Sequence, residues 1–274
     1  MADDRMHPLV ALMRRYVIDY TNSHDQTIYP EIFVPDYRVH INGVELQLDE
    51  SYGPATTRLF ESAPGLGLVV HELVLNGDRL CMRFSEHAAM PRPDGGRALT
   101  CWRGIGLYRW DGERFTENHV EQDFLGRRRQ IRTGEPDALE PPHIDPWMST
   151  QPVGADLDAE AIAREFLALG RLDRADRAQL DDIATTAPGT GAELVIEPER
   201  MVVNDLFSAG RRVAAHVTFT GPYRGGVTDV PAAAVGTSVS LSVAAIVTVA
   251  DDGHIEDVHA VSTRDVVRAR LRTA

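Results

Sequence analysis

Cysteine is nearly absent: the chain of 274 residues has two, Cys81 and Cys101. There is no C-x-x-C pair and no zinc-finger spacing, which excludes a disulfide framework and a cysteine-built metal knuckle. A hairpin centred near Pro91 would set the two roughly opposite each other, and both read as free, buried thiols. Basic residues are also short, 28 against 41 acidic ones, for a formal net charge of -13. Such a surface repels nucleic acid and anionic membranes, so neither is an expected partner. No apolar run is long enough to span a bilayer. The longest, Val239 to Ala250, is interrupted by serine and threonine and reads as a strand. The first residues, MADDRMHPL, are acidic and lack the apolar stretch of a secretory signal. The expected location is cytoplasmic. No glycine-rich nucleotide loop is present, so no cofactor is indicated.

What is present is ordinary globular material, with 43% hydrophobic and 7% aromatic residues. Leu9, Met13, Tyr16, Val17 and Tyr20 recur at helical spacing, predicting a helix over 9–22. Thr27 can cap a short helix through Phe33, and Pro35 ends it. A short strand follows over Tyr37 to Ile41, then a third helix over Tyr52 to Ser62. Four strands come next, over 68–75, 79–89, 97–110 and 114–124. Their turns are Asn76-Gly77-Asp78, Pro91 to Gly96, and Asp111-Gly112. Helices followed by an antiparallel meander make an α+β layout. Proline-rich residues 133–156 read as a linker or surface strap. Beyond it the pattern restarts, with helices over 159–169 and 173–185 and strands near 193–207, 211–220, 233–249 and 254–261.

The halves repeat each other. Asn76-Gly77-Asp78-Arg79 with its strand matches Ala209-Gly210-Arg211-Arg212 with its own. Asp111-Gly112 matches Asp252-Gly253 in the same way. The second copy is shorter and shows no counterpart to VPDYRVH, residues 34–40. Predicted domains are therefore 1–132 and 157–274.

The densest chemistry lies in ENHVEQDFLGRRRQ, residues 117–130. Alternation puts Glu117, His119, Glu121 and Asp123 on one face of a strand. Either that face is solvated, or a concave sheet closed by helices turns it inward toward a pocket.

Together these marks resemble the SnoaL-like polyketide cyclases of the NTF2-like (ketosteroid isomerase-like) superfamily. The resemblance rests on Pro35-Asp36-Tyr37 with His40, on Gly77-Asp78-Arg79 with Arg83-Phe84, and on Glu117, His119 and Asp123 followed by Leu125-Gly126 and Gln130. It covers about residues 8–131; the second half resembles the superfamily in its sheet alone. It implies a curved sheet wrapped around a helix-lined cone, repeated as two domains packed into an intrachain pseudo-dimer, with further homo-oligomerisation left open. It also implies a hydrophobic, oxygenated small-molecule substrate, such as a polyketide or polycyclic compound. The expected activity is cofactor-independent acid/base catalysis: cyclisation, isomerisation, elimination or hydration. The alternative is a binding or accessory protein using the same pocket without chemistry. Fold does not decide between them.

Asp123 occupies the position of the family's acid/base aspartate, and an apolar cone would raise its pKa. It could equally cap backbone N–H groups at a strand end. His119 replaces a usual tryptophan and is either a proton donor or a core histidine. Arg109 stands where many relatives have a histidine; it cannot act as a base but can hold a developing oxyanion. Glu86 and His87 point to opposite faces, so one of them can enter the cone. Glu121 either joins Asp123 or pairs with an arginine of 127–129. Asp36 and His40 sit at the mouth, where Asp36 is also a natural turn residue. Tyr16 and Trp102 are substrate walls or plain core. His40, His119 and Asp123 could form a two-histidine, one-carboxylate site, but the spacing does not demand it and no metal is expected. In the second half, Phe219, His259, Val261 and Thr263 align with Glu86, His119, Glu121 and Asp123. Both carboxylates of β-strand end 121–123 are thus replaced, leaving a second half read as structural support.

Overall fold

A computed structural model of the chain describes residues 6–170, 172, 175–180, 192–227 and 229–273. The apolar spacing after His7 produces helix α1, Pro8–Arg15, started by a proline in its first turn and continued by a π-helical segment, Tyr16–Asn22. A short helix α2, Tyr29–Ile32, leads into β1, Phe33–Ile41, which turns back as β2, Val44–Gln47. Helix α3 spans Gly53–Ser62. The predicted meander follows as β3 (Gly67–Leu75), β4 (Arg79–Pro91), β5 (Arg97–Trp110) and β6 (Phe115–Gln122), and α4, Phe124–Thr133, closes the half. The six strands form one sheet in the order β2-β1-β6-β5-β4-β3, with β1 and β6 parallel and every other pair antiparallel.

The second half repeats this plan. Helix α6, Leu157–Ala168, precedes β7 (Arg177–Leu180), β8 (Ala192–Ile196), β9 (Arg200–Ala209), β10 (Arg212–Val227), β11 (Ser238–Val249), β12 (Ile255–Ser262) and helix α7, Arg264–Leu271. Its main path is β7-β12-β11-β10-β8, with β9 also on β10. Two sequence expectations are corrected here. Residues 177–180 form a strand where a helix over 173–185 was expected; positions 173–174 and 181–185 of that span lie outside the described residues. That strand runs parallel to β12, as β1 does to β6, so the second half does have a counterpart to β1. Charged and small residues gave β7 no clean alternation to read; pairing with β12 makes it a strand.

Each sheet covers its own helices with one face and meets the other sheet with the opposite face. In the first half, Tyr16, Tyr20, Phe33, Tyr37, Tyr108 and Phe115 interlock under β1, β5 and β6. Gly104 and Gly106 on β5 make room for Phe84 and Tyr108: a Cβ there would meet them at 2.3 Å and 2.9 Å respectively. Between the sheets lies a smaller apolar strip, in which Val74, Cys81, Ile105 and Leu107 face Phe207, Ala214, Ala244, Ile246 and Val261. The two cysteines are free and buried, but they are not opposite each other: Cys81 is in register with Leu107 and Cys101 with His87. Residues 134–155 run along β3 as a strap, through His143 N–H to Val70 O (2.9 Å) and Val153 N–H to Leu75 O (3.0 Å). A short helix α5, Pro146–Ser149, interrupts it.

Candidate functional site

Strand alternation does put Glu117, His119 and Glu121 on one face of β6, but not the face toward the helices. The register pairs Tyr108 with Asn118, Gly106 with Val120 and Leu107 with His119. Tyr108 and Val120 belong to the aromatic core, so His119 and its neighbours look the other way, onto the second sheet. β1 follows suit, with Tyr37 and Val39 in the core and His40 in register with His119 on the outer side.

There the two halves form a half-open cavity of about 580 Å³, lined by His40, Glu45, Arg109, Glu117, His119 and Glu121 from the first half. Asn204, His216, Thr218 and Ser242 line it from the second. The His40 and His119 rings stack at 4.2 Å, 10° from parallel, and His216 stands 5.1 Å from His119. Glu117 Oε1 lies 2.9 Å from His40 Nε2 and 3.9 Å from His119 Nε2. Asn204 donates to His216 Nδ1 at 2.9 Å, which leaves the ring proton on Nε2 to donate to Glu121 Oε1 at 3.1 Å. Glu121 Oε2 accepts from Asn42 N–H at 3.2 Å. Asp205, 4% exposed, holds Arg79 and, at 3.0 Å, Arg109.

Burial sets the protonation states. Desolvation, aided by His216 and His40, pushes the His119 imidazole down to about 4. Desolvation, with His40, does the same to His216. The Glu121 carboxyl, 1% exposed, is raised well above the usual range by desolvation, opposed weakly by Asn42 N–H. Burial also lifts Glu117, but its hydrogen bond to His40 and the charges of His119, His40 and Arg109 outweigh this and leave it lowered. At neutral pH His119 and His216 are therefore neutral, Glu121 resists ionisation and Glu117 is a carboxylate.

Asp123 is elsewhere. It caps α4, accepting from Gly126 N–H at 2.8 Å, and pairs with Arg264 of the second half at 2.7 Å. The carboxylate is thus engaged by a helix end and a buried guanidinium, not aimed into a cone. Glu121 does not join it, nor does it pair with an arginine of 127–129; its partners are His216 and Asn42. Glu86 is the carboxyl that faces the helices, beside Trp102 and Gln122, with Oε2 lacking a hydrogen-bond partner among the described residues. Burial pushes it up to about 7, against the pull of Arg127 and of the neighbouring polar groups of Trp102 and Gln122. Tyr16 and Trp102 are buried core, Trp102 Nε1–H donating to Gln122 at 2.9 Å. Asp36 is exposed on β1, outside the cavity lining. The grouping of His40, His119 and Asp123, weighed from the sequence and not expected, is not formed; Glu117 stands with the two histidines instead. Among the cavity residues, sequence reasoning missed Glu45, Asn204, Thr218, Ser242 and His216, the last marked only as a histidine inside the apolar run Ala214-Ala215-His216-Val217.

A second hollow of about 410 Å³ lies under the strap, between His87, Leu99, Cys101 and Leu139. Cys101 Sγ is 3.6 Å from His87 Nε2, but burial raises the thiol and lowers the imidazole, the reverse of an activated pair.

No protein-family model and no curated protein matches the chain. It is similar to several solved structures. One, from Jannaschia sp. CCS1, is described provisionally as a SnoaL-like polyketide cyclase, with 17% identity over 46% of this chain and 92% of that one, at a TM-score of 0.39. Another, described provisionally as a polyketide cyclase from Acidithiobacillus ferrooxidans, shows 21% identity over 49% and 100%, at 0.39. TsrD from Streptomyces laurentii shows 24% over 45% and 94%, at 0.39. Each spans less than half of this chain.

Proposed function

We propose that this chain catalyses proton transfer on a small oxygenated molecule held in the cavity between its two sheets. The observation that supports this best is the Glu121–His216 pair, in hydrogen bond at 3.1 Å on the wall of a cavity large enough for such a molecule. A carboxyl held protonated can deliver a proton to the substrate and, once ionised, take one back, with His216 Nε2–H holding it in place. Arg109 and His119 would steady the oxygen that gathers charge. Proton movement beside a carbonyl is common to cyclisation, isomerisation, elimination and hydration. The lining is polar and carries a guanidinium, which favours an oxygen-rich, carboxylate-bearing substrate over a bare polycycle. The alternative, binding without chemistry, draws on the fact that both oxygens of Glu121 already have partners.

The test is solvent exchange. The protein in D2O is offered a panel of 2-oxo and 3-oxo carboxylic acids, and loss of the α-proton signal is followed by NMR. Exchange above the buffer rate is expected for at least one acid, falling about 100-fold or more in Glu121→Gln. Saturable binding without exchange, indifferent to Glu121→Gln, would favour the binding reading. No acceleration with any acid, and no binding, would sink both.

A further inference from the structure

We propose that His40, Glu117 and His119 bind a divalent first-row metal ion in this cavity. The backbone delivers the three together. His40 and His119 are register partners on the parallel strands β1 and β6, and Glu117 lies two residues before His119 on the same face. Their ligand atoms all lie within 4.8 Å of one another. Glu117 Oε1 is 2.9 Å from His40 Nε2 and 3.9 Å from His119 Nε2. The ligand atoms of a tetrahedral zinc ion stand about 3.3 Å apart, so the set closes once the stacked His40 and His119 rings turn their nitrogens toward a common point.

A second observation concerns His119. The residue is 8% exposed, its Nδ1 has no hydrogen-bond partner among the described residues, and its Nε2 meets its nearest carboxylate only at 3.9 Å. Buried polar groups are rarely left so; an imidazole with no hydrogen bond on either ring nitrogen has one of them to offer to an ion. The surroundings fit a cation. Glu45 Oε2 lies 3.9 Å from His40 Nδ1, in the place of the outer carboxylate that orients a ligand imidazole. Arg109, the nearby positive charge, is held by Asp205 at 3.0 Å and by the Oε2 of Glu117 at 3.4 Å, which leaves the Oε1 of Glu117 for the ion. Two histidines and one carboxylate leave coordination positions open, here toward the cavity.

The assignment deepens the function proposed above and rests on it only for its use: the ion would take over the oxygen-steadying role given there to His119. Binding itself is read separately. The full chain, stripped with chelator, is titrated with Zn2+ by calorimetry and with Co2+ by visible absorption. One equivalent of Zn2+ is expected at micromolar affinity or tighter, with Co2+ giving the bands of a low-coordinate nitrogen and oxygen site. His40→Ala and Glu117→Gln should each weaken Zn2+ by at least about 100-fold, and Glu45→Gln by about 10-fold. His40 and Glu117 are only partly buried, and circular dichroism verifies that the variants are folded. Absence of saturable binding overturns the site. So does binding that both ligand variants leave unchanged, which would place the ion elsewhere, for instance at the exposed His254 and Asp252. Proton exchange that persists in chelator with no zinc bound would remove the metal and keep the proton-transfer reading; zinc bound without exchange would do the opposite.

Discussion

Glu86 is buried among apolar and aromatic groups, and its folded-state carboxyl titrates near 7 against 4.5 for the free side chain. The raised value means that folding favours the protonated form. Below the unfolded value both states are protonated and the group costs nothing. As pH rises toward 7 the unfolded chain releases the proton first, so stability falls, and it levels off above that. Glu86→Gln removes the titration and keeps the shape. It should stabilise the protein by up to about 3 kcal/mol at pH 8 and leave it nearly unchanged at pH 4, measured by urea unfolding at both pH values. A gain of equal size at both would show that desolvation of Glu86 is not the cause. The residue was legible as a candidate for the helix-facing side, since only one of Glu86 and His87 could take it. Its environment was not, because the aromatic residues around it come from distant segments.

Helix α4 begins at Asp123, whose side chain caps it, and its counterpart α7 begins at Arg264, which pairs with that same aspartate. Arg128 on α4 and Asp265 on α7 add an exposed pair at 2.8 Å. The equivalence of the two helix starts follows the repeat read from the sequence, which set Thr263 opposite Asp123; Thr263 is indeed the N-cap of α7. Asp123→Ala removes a cap and one partner of a buried ion pair, so it should cost about 3 kcal/mol or more. A drop in melting temperature with α-proton exchange per folded molecule intact is the expected result. Loss of exchange with unaltered stability would return Asp123 to the chemistry. The element-level lesson is one of parity. Alternation grouped Glu117, His119 and Glu121 correctly, yet cannot say which face of β6 is covered by helices and which by a second sheet.

At the scale of the molecule, the strip formed by Val74, Ile105, Leu107, Phe207, Ala244 and Ile246 joins the halves. Neither sheet can expose its side of it to water without cost. A chain of residues 1–133 expressed alone should therefore self-associate through that face, seen by size-exclusion chromatography with light scattering. It should also lose the Zn2+ affinity contributed by the second half's wall of the cavity, although it retains His40, Glu117 and His119. A monodisperse, soluble monomer would mean that the first half is finished without the second.

The sequence by itself determined what depends on neighbours along the chain. Turn residues such as Asn76-Gly77-Asp78 and Asp111-Gly112 set the meander, helical spacing set α1 and α6, and the matched turns revealed the repeat. It also grouped His119 with its flanking carboxylates, because a strand's period of two is local. Tertiary structure alone decided that this face meets the second sheet and not a helix-lined cone. It brought His216 and Asn204 from about a hundred residues away to complete the cavity, and it drew Asp123 to Arg264. Contacts at such separation depend on how two sheets pack, and the energy of that packing is spread over an apolar strip with no local signature.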